Sequence, residues 1–408
     1  MSKLFRLITV SKFVDSKMSL REWLPLLGIT VSAFIFNTSE FMPVGLLTDI
    51  GGTFGTSEGE TGLIVSVYAW AVMLLSLPLM IAASRIPFRP LVLLVLTVFC
   101  AGQALSAVAA SYGMLMGARL VVACSHSIFW AIAAPVAVRV VEAQHGPLAL
   151  SAVEAGTALA NTLGLPIGRA VGLALGWRMT FACVGVVSFA VLVYLFIVFP
   201  KLAQEKPFTL KELPRIMRNK SLVGIFVLTA LFAMGFYTGY SYIEPFLLQV
   251  GGLASGEVTI VLVAFGLSGI VGSALCPKLF PRHRKFFLAG CVGGVALSLL
   301  LMIVGAVSFW SAFAVCFLWG VCSAVYSVIY QSEIIRVADS GSQTVAMAIF
   351  SGIFNLGIGT GSFIGGGVCT YASVSLVGVA GGAIALAGFL YCLFVLIPRL
   401  QRKVSNSE

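Results

Sequence analysis

The chain has 408 residues, of which 59% are hydrophobic and only 10% are charged, and its formal net charge is +10. The surface of a water-soluble globular protein needs far more polar side chains than this composition supplies. Soluble enzymes and soluble binding domains are therefore excluded, and the mean hydropathy of +1.05 indicates an integral membrane protein.

The apolar residues fall into twelve stretches, each about long enough to cross a bilayer as a helix. A hydrocarbon core of roughly 30 Å needs about 20 residues of α-helix, and a helix satisfies its own backbone polar groups where no water is present. The fold class is therefore all-α, with twelve transmembrane helices. The predicted spans, in chain order, are 24–47, 61–83, 90–110, 114–138, 148–174, 178–199, 221–248, 257–279, 286–306, 311–335, 344–370 and 374–397.

The basic residues predict the orientation of these spans. With the N-terminus in the cytoplasm, all but three of the 25 Lys and Arg residues lie on the cytoplasmic side; the exceptions are Arg119, Arg169 and Arg178. This distribution follows the positive-inside rule. The protein is therefore expected in the inner (cytoplasmic) membrane, with both termini on the cytoplasmic side. The net charge is then explained by orientation and by contact with anionic lipid, and a nucleic-acid partner is not expected.

The longest polar interruption lies at the middle of the chain and divides the spans six and six. The predicted organisation is a cytoplasmic tail at 1–22, a six-helix half at 23–199, a linker at 200–220, a six-helix half at 221–398 and a cytoplasmic tail at 399–408. Met18 lies directly before the first span, so either Met1 or Met18 fits as the start. Glu40 with Pro43 has a counterpart half a chain later in Glu244 with Pro245, which suggests duplication.

Several segments carry a resemblance to a known family. They are AFIFNTSEFMPVGLL at 33–47, YAW at 68–70, SHSIFW at 125–130, GLPIGR at 164–169 with GWRMTF at 176–181, YSYIEPF at 240–246 and MAIFSGIFNLGIG at 347–359. Together with the six-plus-six arrangement, they resemble the major facilitator superfamily and, within it, the bacterial sugar efflux transporters of the 12-span drug:proton antiporter family. The resemblance implies the major facilitator fold, a substrate site near the midplane between two rocking halves, and export of small sugars.

One motif departs from the family pattern. The superfamily's loop between spans 2 and 3 usually reads GxLaDrxGrr, whereas this chain has Met80 in place of the Gly and Ser84 in place of the Asp. Only Arg85 and Arg89 of the motif remain. A cytoplasmic gate that depends on the motif's Asp is therefore in doubt for this chain.

Ionisable and polar residues within the spans are the candidates for function, because an ionisable group in a span is costly unless it faces a cavity or a partner. Helical spacing places Asn37 and Glu40 on one face of span 1, and Arg119 and His126 on one stripe of span 4. Sugars need hydrogen-bonding groups for hydroxyls and flat apolar walls for ring faces. The predicted substrate-binding residues are Asn37, Glu40, Trp70, His126, Trp130, Tyr240, Phe350 and Asn355.

Glu40 and His126 are also the predicted proton-coupling residues. Burial disfavours a charged carboxylate, and an imidazole titrates near physiological pH, so the pair is suited to exchange a proton against sugar. Each has a structural alternative: an ion pair for Glu40 and an interhelical hydrogen bond for His126.

The remaining polar and helix-shaping residues are assigned to gating or structure. Arg119 is expected to pair with a carboxylate across the bundle, and Glu244 lies near the outer end of span 7. Gly164, Pro166 and Gly168 are expected to kink span 5 and to pack it at the contact between the halves.

The sequence favours a proton-coupled sugar exporter, with small sugar, protons and lipid as partners and a monomeric state. There is no GxxxxGK[ST] motif for ATP, no nucleophile constellation and no metal-ligand spacing, so neither an enzyme activity nor a cofactor is expected. The alternative is a proton-coupled exporter of drugs or of other small metabolites such as nucleosides. A non-transporting membrane receptor is disfavoured because the chain has no sensory domain.

Overall fold

The computed structural model describes residues 18–83, 85–202, 213–280, 282–338 and 343–405. Most of the predicted N-terminal tail, the greater part of the predicted linker, Ser84 and residues 406–408 of the predicted C-terminal tail lie outside the described residues.

The described part of the chain is all-α and contains no strand. Its main helical segments are α1 (Leu20–Phe54), α2 (Glu58–Ala83), α3 (Phe88–Ala107), α4 (Tyr112–Arg139), α5 (Ala143–Leu175), α6 (Trp177–Val198), α7 (Lys220–Tyr240), α8 (Ser255–Leu279), α9 (Arg284–Leu300), α10 (Phe309–Val337), α11 (Gln343–Tyr371) and α12 (Val374–Gln401). Polar caps start several of them where the chain enters the bundle: Ser111 accepts a hydrogen bond from the Met114 amide, and Asn219 accepts from the Ser221 amide.

Within the described ranges, eleven of these segments are long and apolar enough to cross a membrane. The ninth predicted span, 286–306, differs from the expectation. Helix α9 has 17 residues, ends at Leu300, and the chain resumes a helix only at Met302–Gly305. A helix of that length is about 25 Å long, slightly shorter than the hydrocarbon core.

Two helices break at matching places. Regular helix in α1 ends at Phe41 and is followed by a 3₁₀ turn, Met42–Leu46, which contains Pro43. Helix α7 ends at Tyr240 rather than at the predicted residue 248, and a short turn (Ile243–Pro245) and a π-helical turn (Phe246–Val250) follow. The proline in each break lacks an N–H donor, which interrupts the helical hydrogen-bond ladder.

The helices pack in two matching sets. In the first six, α1 packs on α5 and α6, α3 packs on α4 and α6, and α2 packs on α4. In the last six, each of these pairs recurs six helices later: α7 packs on α11 and α12, α9 packs on α10 and α12, and α8 packs on α10. The two sets meet where α2 packs on α11 and where α5 packs on α8, which are also equivalent pairs.

The two ends of the bundle are distinguished by the course of α1. The proximal end is the one at which α1 begins at Leu20, and the distal end is the one at which α1 ends at Phe54.

Candidate functional site

The centre of the candidate site is the end of the regular helix in α1. The side chains of Asn37 and Glu40 lie on one face of this helix and are 7% and 6% exposed. The hydrophobic rings of Phe36 and Phe41 flank them in sequence, so α1 holds a carboxyl group in a largely apolar interior.

Helix α4 places His126 against this carboxyl group. The distance from His126 Nε2 to Glu40 Oε2 is 3.6 Å, and the imidazole is 2% exposed. This separation is longer than a direct hydrogen bond, so a small movement of either side chain would be needed to form one. Aromatic rings surround the imidazole, with ring centroids at 5.5 Å for Tyr68 and 6.1 Å for Trp130.

A buried guanidinium completes this group. Arg119, also on α4, donates to Ser39 Oγ at 3.1 Å and to the main-chain oxygen of Glu40 at 3.5 Å. Its Cζ lies 4.2 Å from the centroid of the Tyr68 ring, a cation–π arrangement. Gln103 Nε2 donates to the same Ser39 oxygen at 2.5 Å.

The contacts of Arg119 differ from the expected pairing with a carboxylate across the bundle, and its gating or structural role stays a prediction. Among the described residues, the guanidinium binds Ser39 and the backbone of its own six-helix set, and makes no ion pair with a carboxylate across the bundle. The reason is local: the stripe of α4 that carries Arg119 and His126 faces α1 and α2, not the last six helices.

Several buried polar atoms in this group have no hydrogen-bond partner among the described residues. They are Asn37 Nδ2, Tyr68 Oη, His126 Nδ1 and Arg119 Nε. A buried polar group without a partner costs free energy, and native proteins keep few of them. Their concentration beside Glu40 marks a place where a polar ligand or water can bind.

The last six helices contribute mainly aromatic side chains. Tyr240 lies in a cluster in which its ring centroid is 5.0 Å from Phe236, 5.2 Å from Phe265 and 6.0 Å from Trp319. These rings meet at angles from 33° to 86°, so the cluster presents both faces and edges.

Tyr237 connects the aromatic side chains of the two sets. Its ring stacks on Phe41 of α1 with centroids 6.0 Å apart, and it meets the edge of Phe354 at 6.1 Å. Phe350 lies a turn away and contacts Phe354 at 6.1 Å. The predicted walls Tyr240 and Phe350 thus belong to an aromatic surface that reaches the Glu40 region through Tyr237.

Two predicted substrate residues are placed differently. Trp70 Nε1 donates to Thr360 Oγ1 at 3.3 Å, and its ring contacts Phe363 at 5.5 Å, so Trp70 fastens α2 to α11. Asn355 Nδ2 donates to the Ser351 carbonyl oxygen of its own helix at 3.0 Å, which leaves Oδ1 without a partner. No described contact brings either side chain to Glu40.

The glycines of α5 pack against α1 and not against the other six-helix set. An added Cβ at Gly164 would lie 3.1 Å from Thr38 Cα, and one at Gly168 would lie 2.8 Å from Met42 Cβ. Helix α5 does pack on α8 of the other set, as expected for this span, while the faces of these two glycines meet α1. Their gating or structural role stays a prediction. The bend itself is a π-helical turn, Ala160–Gly164, followed by Pro166 in the first turn of the next helical segment.

Glu244 lies in a second polar group at the distal end. Its carboxylate accepts from Arg169 Nη1 at 2.8 Å and from Thr48 Oγ1 at 2.9 Å. Arg169 Nη1 also donates to the Gly45 carbonyl oxygen at 2.7 Å, and both charged side chains are at most 1% exposed.

Three residues of the site are not assigned from the sequence. Tyr68 lies within the YAW segment, but the segment alone gives no role to its hydroxyl or its ring. Arg169 and Thr48 become visible as partners of Glu244 only in the folded chain. An arginine and a glutamate in different apolar spans are themselves a signal for an ion pair, because each needs a partner in a bilayer.

One group of side chains has the elements of a metal site at the proximal end. Ligand atoms of Glu22, Glu142 and His145 lie within 4.8 Å of one another. The Glu22 carboxylate is, however, already bound by the Ser19 amide and hydroxyl, by the Glu142 amide at 2.8 Å and by His145 Nδ1 at 2.8 Å. This arrangement is a hydrogen-bonded junction between α1 and the start of α5.

Residues 29–348 match the family described as the Major Facilitator Superfamily. The fold is similar to the crystal structure of the human organic anion transporter MFSD10 (TETRAN), with a TM-score of 0.67 and 16% identity over 91% of this chain and 98% of that one.

A second similar structure is that of a bacterial homolog of the human lysosomal transporter Spinster, in an inward-facing and unoccupied conformation. Its TM-score is 0.65 at 16% identity, covering 94% of this chain and 96% of that one. At this identity the likeness is one of fold.

Proposed function

Because the chain belongs to the major facilitator superfamily and is thus a multi-pass secondary transporter rather than an enzyme, we propose that it exports small sugars or sugar-like molecules in exchange for protons. The observation that carries the proposal is the set of unpartnered buried polar atoms of Asn37, Tyr68 and His126 beside the Glu40 carboxyl group. Sugar hydroxyls both donate and accept hydrogen bonds, so they match a mixed group of this kind.

Coupling arises from competition at Glu40. As a carboxylate, Glu40 accepts hydrogen bonds from sugar hydroxyls and balances the charge of Arg119; when it binds a proton, it loses acceptor capacity. His126, 3.6 Å away, is positioned to receive or pass on the proton. Proton binding and sugar binding then exclude each other, which is the requirement for antiport.

The moving parts in this proposal are the two six-helix halves, 23–199 and 221–398, joined by the linker 200–220. The matching helix pairs and the contacts of α2 with α11 and of α5 with α8 support a rocking motion about the site. The protein would act as a monomer in the inner membrane, with both termini in the cytoplasm. The proximal end is then the cytoplasmic end.

An exporter of drugs or nucleosides is the second candidate, and a specific observation favours it. An aromatic surface is formed by Tyr237, Tyr240, Phe350 and Phe354. The residue after Phe354 is Asn355, whose Oδ1 has no hydrogen-bond partner among the described residues. Such a surface suits an aryl group or a nucleobase as well as a sugar ring face.

The proposal is tested by transport in proteoliposomes with Glu40→Gln, which keeps the size of the side chain and removes its titration. The neutral amide resembles the protonated carboxyl, so the variant should bind arabinose more weakly. At saturating arabinose it should still catalyse counterflow of the labelled sugar, since exchange needs no net proton movement. It should lose accumulation driven by a pH gradient. Glu257→Gln is the matched control, because Glu257 caps α8 at the surface through the Ala254 amide.

Normal gradient-driven accumulation by the Glu40→Gln protein would contradict the coupling role of Glu40. Counterflow of a labelled hydrophobic cation or nucleoside, without counterflow of arabinose, would favour the second candidate.

A further inference from the structure

The distal end of the bundle is closed by a buried ion pair that joins the two six-helix sets. Arg169 belongs to α5 and Glu244 follows α7, and the Nη1 to Oε1 distance is 2.8 Å. Gly45, in the 3₁₀ turn of α1, binds the guanidinium, and Thr48, in the helical segment after that turn, binds the carboxylate. Three separate segments therefore meet at one charged contact.

The ion pair lies where both α1 and α7 have lost regular helical structure. Gly45 is within the 3₁₀ turn Met42–Leu46, and Glu244 is within the turn Ile243–Pro245. Backbone groups released by these breaks are available to the side chains, as the bond from Arg169 to the Gly45 oxygen demonstrates. Breaks of this kind are also places where a helix can change direction at low cost.

A depression of about 300 Å³ opens at the distal end directly beside the pair. Thr48 lines it together with Gly51, Gly52, Thr56 and Glu58. Thr48 is thus shared between this depression and the Glu244 carboxylate. The ion pair is therefore connected to the depression through the Thr48 side chain.

Other contacts between the two sets lie at the same end. Gln249 donates to Glu58 at 2.6 Å, and an added Cβ at Gly366 would lie 3.4 Å from Gly59 Cα. The described ion pairs of the proximal end remain within one set: Glu22 with His145 in the first, and Glu333 with Arg284 in the last. The closure is therefore asymmetric, with its charged contact at the distal end.

We propose that Arg169 and Glu244 form the latch of the distal gate, which must separate each time the transporter opens to that side. The inference relies on the alternating access of the proposed function. Both charges are buried while the gate is closed, and both gain water when it opens. Removing one partner leaves the other charge without compensation. That charge is buried in the closed state and hydrated in the open state, so the substitution destabilises the closed state selectively.

A native cysteine reports on this gate. Cys369 lies near the distal end of α11 and is partly buried. It is three residues after Gly366, where α11 packs closely against Gly59 and Tyr242. In reconstituted protein, a membrane-impermeant maleimide added from the distal side should modify Cys369 slowly in the wild type. In Glu244→Gln, modification should be about tenfold faster. Peptide-resolved mass spectrometry distinguishes Cys369 from the other cysteines.

The matched control is Glu333→Gln. Glu333 is as deeply buried as Glu244 and pairs with Arg284 at 2.7 Å, but within one six-helix set. This variant should leave Cys369 labelling unchanged.

The charge-reversed double variant, Arg169→Glu with Glu244→Arg, provides a second arm and should return labelling toward the wild-type rate. An unchanged rate in folded Glu244→Gln protein would overturn the latch, as would acceleration of equal size in Glu333→Gln. If Glu244→Gln does not fold, the double variant decides: slow labelling supports the latch and fast labelling contradicts it. The readout needs no sugar, so a protein that gates as expected but transports no sugar would contradict the proposed substrate and leave the latch intact.

Discussion

Asn37 and Ser39 are near neighbours on α1 with opposite bonding. Asn37 is buried, and its Nδ2 has no hydrogen-bond partner among the described residues. Ser39 is fully buried, and its hydroxyl oxygen accepts from both Gln103 and Arg119. One residue is therefore suited to a ligand, and the other holds the network that fixes Arg119.

Substitution by alanine should separate these roles. Asn37→Ala should leave the free energy of unfolding unchanged or raise it, because it removes an unsatisfied buried donor, while sugar affinity should fall about tenfold. Ser39→Ala should lower the free energy of unfolding by about 1–3 kcal/mol, since two buried donors lose their acceptor. Thermal unfolding in detergent and sugar titration of both variants provide the check.

A large loss of stability in Asn37→Ala, with sugar affinity unchanged, would contradict the ligand role of Asn37. It would instead assign this side chain to the fold.

Helix α5 makes two kinds of contact: it packs on α1 within the first six helices, and it packs on α8 of the last six. Its glycines approach α1, whereas Thr162, in the π-helical turn, approaches α8. Thr162 Oγ1 donates to the Gly266 carbonyl oxygen at 3.2 Å, so the two helices touch through their backbones. An added Cβ at Gly266 would lie 2.6 Å from Thr162 Cα, too close for any side chain.

Gly266→Ala should therefore force α5 and α8 apart and lower the free energy of unfolding by about 1–3 kcal/mol. Gly269→Ala on the same helix is the control, because its added Cβ would meet its nearest neighbour, Ala324 Cβ, at an ordinary 3.5 Å. Thermal unfolding of the two variants in one detergent measures the difference. Equal midpoints for both would show that this backbone contact is not tight.

At the scale of the whole molecule, much of the fold follows from hydrophobic length alone. Eleven predicted spans correspond to apolar helices. Helix α7 ends earlier than predicted, before Pro245, and this proline is a signal in the sequence for a shorter span. The family resemblance correctly indicated the major facilitator superfamily. The sugar efflux subtype, the domain limits and the site roles stay predictions.

The sequence predicts on which helix face a side chain lies better than it predicts which helix that face contacts. The stripe of α4 correctly placed Arg119 and His126 on one face, but periodicity does not specify which helix that face meets. The glycine spacing of α5 predicted close packing, yet its partner is α1. Trp70 was expected to line the site and instead bonds Thr360 of α11. In each case the missing information is tertiary and cannot be read from one helix.

The central claim is that a proton and a sugar compete for Glu40. Purified protein in weakly buffered detergent solution should release about one proton for each arabinose it binds, followed with a pH-sensitive dye during calorimetric titration. Glu40→Gln, whose amide is neutral like the protonated carboxyl, should bind sugar more weakly and with no such release. Sugar binding to the wild type without any release of protons, at every pH between about 5 and 8, would contradict the claim.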